Sequence, residues 1–92
     1  MKKENDFTGI GRMYQGSEFL AEVLYRLRCG KHSTYFSDDI RGHIMVMEGT
    51  HALPLNAPKI LRLEDGRLLQ ITLQDGDSRV GKYIVQGVGY IQ

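Results

Sequence analysis

From residue 19 to residue 29 every odd position is apolar: Phe19, Ala21, Val23, Tyr25, Leu27 and Cys29. Charged Glu22, Arg26 and Arg28 fall on even positions between them. Alternation of period two is what a strand with one buried face requires. The same segment also carries Leu20, Val23, Leu24 and Leu27 at i, i+3, i+4 and i+7, the stripe of an amphipathic helix. Ser17 could cap such a helix, Glu22 and Arg26 would pair along it, and Gly30 would close it. The context favours the strand. The preceding residues, FTGIGRMYQGS, are rich in glycine and poor in helix formers, and YQGSEF sits where a hairpin turn would. A strand from about 18 to 29, paired with residues 10–15, is therefore expected.

The second half of the chain has clearer punctuation. KILR and LLQITL flank Asp65-Gly66, a pair that suits a type I′ hairpin turn because glycine accepts a positive φ. Asp75-Gly76 repeats the signal and is expected to end one strand before RVGKYIVQGVGYI begins another. RGHIMVMEG, bounded by glycines, favours a further strand over 42–48. Pro54 and Pro58 bracket an irregular connection. The expected fold is all-β, a small antiparallel β-barrel of about six strands. It is one domain over residues 1–92, with residues 1–6 disordered. The alternative is an α+β arrangement, a sheet with one helix at about 18–29.

Length and charge narrow the classes only slightly. Ninety-two residues suffice for one modest core without staples. Seven basic and six acidic residues in positions 1–46, then five and five, leave neither half strongly charged. A net charge of +1 lacks the basic excess of a dedicated nucleic-acid binder. A lone cysteine, Cys29, the absence of an apolar stretch behind the N-terminal lysines, and no run long enough to span a bilayer make a cytoplasmic location and no membrane association the expectation.

Candidate chemistry is sparse. His32, His43 and His51, with Asp38, Asp39 and Glu48 between them, lack the close spacing of a structural zinc site and read as surface histidines. Cys29 continues the apolar row as an inert thiol, and Ser33 lacks a nucleophile elbow. The pairs Gly9/Gly11 and Gly87/Gly89 lack the third glycine and following helix of a phosphate loop. DGDSRVG spaces Ser78 and Gly81 as in cyclic-dinucleotide-binding barrels, but Gly76 fills the acidic slot and no arginines stand four apart, so no family resemblance is drawn.

Two surface groups remain. If odd residues of 19–29 face inward, Arg26 and Arg28 project outward beside Lys31, and Arg41 and His43 join them when the strand at 42–48 pairs alongside. Such a patch, with Tyr14 or Tyr35 near it, could hold an anion or a single nucleic-acid strand. Leu20, Leu24, Met45 and Met47 would then lie on the outer face as a contact surface. The reading is a non-catalytic binding or accessory module, with no cofactor, that recognises a protein partner (a copy of itself included) or a small anionic ligand. A nucleic-acid-binding OB- or SH3-like barrel using the Arg/Lys patch is the alternative. A metal-assisted enzyme built on His32, His43 and His51 stands third.

Overall fold

The computed structural model describes residues 6–28, 40–49, 52–55 and 57–91, with side chains up to residue 87. Six strands form a closed barrel: β1 (Asp6–Gln15), β2 (Glu18–Arg28), β3 (Arg41–Gly49), β4 (Lys59–Arg62), β5 (Leu68–Asp77) and β6 (Lys82–Ile91). Neighbours run in the order β1-β2-β3-β6-β5-β4, and every pairing is antiparallel. The chain thus makes two three-stranded meanders, β1–β3 and β4–β6. They are sealed to one another by β3 against β6 and β1 against β4, so each of the six described strands is paired on both sides. Among the described residues no helix is long and apolar enough to cross a membrane.

Period two wins over residues 18–28, and the α+β alternative is excluded. Ala21, Val23, Tyr25 and Leu27 all point into the core, while β2 is hydrogen-bonded on both sides, to β1 and to β3. A helix there would have satisfied its own backbone and left both neighbours unpaired. The interior is completed by Met13, Ile44, Val46, Leu61, Leu69, Ile71, Leu73, Tyr83 and Val85. Lys59 is buried with them, its Nζ donating to the Ala57 carbonyl, and that desolvation lowers its pKa from the usual lysine value. β1 begins at Asp6, so the leader expected to be disordered loses at least that residue; residues 1–5 lie outside the described ones.

Glycine chemistry settles the turns. Gly16 has φ +62° and opens the two-residue turn between β1 and β2, as a type II′ hairpin needs. The β4–β5 hairpin is not the expected type I′ turn. Glu64, Asp65 and Gly66 form a three-residue loop in which Gly66 N donates to Leu63 O (2.9 Å) and Leu63 N to Arg67 O (2.8 Å). Only Gly66 takes a positive φ, +95°. Asp65 receives the Arg67 backbone N–H, which holds its carboxyl below the usual aspartate range.

Asp75-Gly76 does not end a strand. β5 continues to Asp77 through a register shift between Leu73 and Asp75, and the turn is residues 78–81, with Gly81 at φ +70°. The reason lies across the ladder. A Cβ at Gly76 would stand 2.1 Å from Tyr83 Cδ2, so this glycine makes room for a buried aromatic ring.

Candidate functional site

The register of β2 against β3 builds the site. The outward pairs, read along the barrel, are Arg28↔Arg41, Arg26↔His43, Leu24↔Met45 and Glu22↔Glu48, with Met47 as the extra residue of a bulge. Interior pairs alternate with them, Leu27↔Gly42 and Tyr25↔Ile44 among them, so packing below fixes which side chains point outward above. At the basic end Asp6 of β1 stands opposite Arg28 and accepts from its Nε at 3.1 Å. Asp6, Arg26, Arg28, Arg41, Gly42 and His43 line a groove of about 300 Å³, floored by Leu27.

Four of the five residues expected to form a basic patch therefore meet in one depression. Lys31 lies outside the described residues, in the segment joining β2 to β3. Among the described residues neither Arg26 nor Arg41 has an ion-pair partner. Arg28 and Arg41 are directly opposed across the ladder, an arrangement in which like charges destabilise a sheet. Among the described residues, the positive charge that lines this groove meets a carboxylate only at Arg28.

A second groove of about 430 Å³ adjoins the first across His43, lined also by Asp75, Asp77, Lys82 and Ile84. Its acidic members are engaged locally. Asp77 accepts from the Arg79 guanidinium (3.0 and 3.1 Å) and from the Arg79 backbone N–H (3.0 Å), which lowers its pKa, and Asp75 accepts from Gly76 N at 2.8 Å.

Other expectations separate here. Tyr14 is not beside the arginines; it packs edge-on against Phe19 at the opposite end of β1, ring centroids 5.7 Å apart. Tyr35 lies outside the described residues. Leu24, Met45 and Met47 are exposed on the outer face. Leu20, expected with them, is half-buried and packs against the core cluster. The bulge between Met13 and Tyr14 shifts β1 past β2 at Leu20, which removes that leucine from the outer row. His32 and His51 lie outside the described residues, and among those described no three His, Cys, Asp or Glu side chains come together as metal ligands.

Asp6, Glu22 and Glu48 belong to this face, a placement the sequence pattern does not give: Glu22 reads there as one of the charged even positions and Glu48 as a carboxylate between histidines. No protein-family model matches the chain, and no match was found among curated proteins or solved structures.

Proposed function

We propose that this chain is a non-catalytic binding module whose ligand is a small, multiply charged anion of the phosphate class, held in the groove between Arg26, Arg28, Arg41 and His43. The observation that carries the reading is that three arginines line one depression, two of them without a carboxylate partner among the described residues. Guanidinium forks match phosphate oxygens two at a time, and a bound anion would relieve the Arg28↔Arg41 repulsion. A single nucleic-acid strand is supported less well, because base stacking needs aromatic side chains and none of the described residues that line the groove is aromatic.

Titration calorimetry with inorganic pyrophosphate tests this. One-to-one binding is expected, weakening as salt rises. A charge-assisted hydrogen bond contributes about 1.5–3 kcal/mol, and exposure puts these at the low end, so Arg26→Gln or Arg41→Gln should each weaken binding about tenfold. Arg62→Gln, on the outer face of β4, should leave it unchanged. Absence of heat at millimolar pyrophosphate, or equal loss from Arg62→Gln, would sink the proposal.

A further inference from the structure

The outer face of β2 and β3 carries two like-charged pairs of opposite sign, and an apolar pair lies between them. Arg26↔His43 stands two residues to one side of Leu24↔Met45, with Arg28↔Arg41 beyond it. Glu22↔Glu48 stands on the other side, two residues away along β2 and, across the Met47 bulge, three along β3. Two residues of strand span about 7 Å, so on β2 the basic and acidic positions are equally distant from the apolar row. That row continues onto β1, where Ile10 pairs with Leu24. Ile10, Leu24, Met45 and Met47 expose 39%, 43%, 41% and 50% of their surface, so four adjoining apolar side chains stand in water on a closed barrel that has no use for them in its core.

A rotation of 180° about an axis lying along this row returns the apolar residues to themselves and exchanges the two ends. Ile10, Leu24 and Met45 of one copy would meet their own counterparts, and Arg26 and His43 would face Glu22 and Glu48 of the second copy. We propose that this face is a self-complementary surface on which a second copy of the chain docks about that two-fold axis. Each like-charged pair strains its own sheet in the single chain. Docking places Arg26 of each copy over the Glu22↔Glu48 pair of the other, so the strained acidic pair meets opposite charge in both copies while the central side chains leave water. A rotation about an axis along the strands would set arginine over arginine, so the charge pattern selects one of the two dimer geometries. This proposal does not depend on the anion reading, although Arg26 and His43 belong to both.

Sedimentation velocity on the full chain in phosphate-free buffer at low ionic strength tests it. The mass should rise with concentration from 10.5 kDa toward twice that value, and rising salt should reverse the change. Arg26→Glu makes the face wholly acidic around its centre, and the double variant Glu22→Arg with Glu48→Arg makes it wholly basic. Each alone should self-associate at least tenfold more weakly, and an equimolar mixture of the two should recover the dimer. Leu24→Glu, at an exposed side chain, should also be monomeric with an unchanged amide spectrum, whereas Arg62→Glu, equal in charge change to Arg26→Glu but on β4, should behave as the wild type. A wild-type mass fixed at 10.5 kDa at every concentration overturns the proposal. So does a mixture that stays monomeric while the wild type dimerises, or an Arg26→Glu chain that dimerises as well as the wild type.

Discussion

Gly42 sits under the candidate groove, paired with Leu27 on one side and Val85 on the other. A Cβ placed there would lie 2.0 Å from the carbonyl oxygen of Arg26 and 2.8 Å from Leu27 Cα. Both are backbone atoms, so no rotamer change relieves the overlap, and Gly42→Ala must push β3 away from β2. Overpacking of this kind costs about 1–3 kcal/mol, and each ladder hydrogen bond stretched open adds about 1 kcal/mol. A total of about 3 kcal/mol is a large share of the 5–15 kcal/mol typical of a domain. For a chain of this length it lowers the Tm by roughly 10–20 °C. Gly16→Ala is the matched comparison. No atom lies within 4 Å of its added Cβ, so only the left-handed φ of +62° penalises it, by about 1 kcal/mol. Thermal unfolding followed by circular dichroism should rank Gly42→Ala well below Gly16→Ala. A Gly42→Ala chain that melts within a few degrees of the wild type would refute the close approach of β2 and β3.

Three further outcomes follow from the same geometry. Lys59→Met should stabilise the fold by about 1 kcal/mol, since the desolvation relieved, about 1–3 kcal/mol, exceeds the single hydrogen bond lost. Its folded pKa lies below 10.5, so the unfolded chain binds more protons as pH approaches that value. Wild-type stability should therefore rise with pH on the alkaline side of neutrality, and Lys59→Met should flatten the rise in urea unfolding. Tyr83→Phe removes the oxygen that accepts the buried Leu53 N–H at 2.8 Å and should cost about 1–3 kcal/mol in the same assay. Because Arg26 serves both proposals, millimolar pyrophosphate should shift the sedimenting species toward the monomer, and an Arg41→Gln chain, altered in the groove but not in the dimer contact, should resist that shift.

The sequence contained most of the fold and about half of the site. Strand β2 was legible because its odd positions are apolar without interruption, and the first turn because Gly16 stands where one is needed. Asp75-Gly76 misled because a glycine beside an aspartate has two uses, a turn or a cleft for a ring, and Tyr83 lies on the far side of the hairpin. Arg26, Arg28, Arg41 and His43 could be placed together once β2 and β3 were paired. Asp6 could not. Counting straight back from the Gly16 turn sets it opposite Leu27, facing the core, and only the bulge at Leu20 carries it to Arg28 and the groove. The bulge at Met47 does the same for Glu48, bringing it opposite Glu22. Bulges move a register by one residue without a strong local pattern, and the polar half of this face depends on two of them.

The proposed function requires three arginines to share one anion. The most direct measurement follows the arginine Nε–Hε resonances while pyrophosphate is added to the folded protein. Arg26 and Arg41 should move together along one saturating curve, with Arg12 and Arg62 stationary. Shifts that never saturate, or that reach Arg62 as strongly as Arg26, would contradict it.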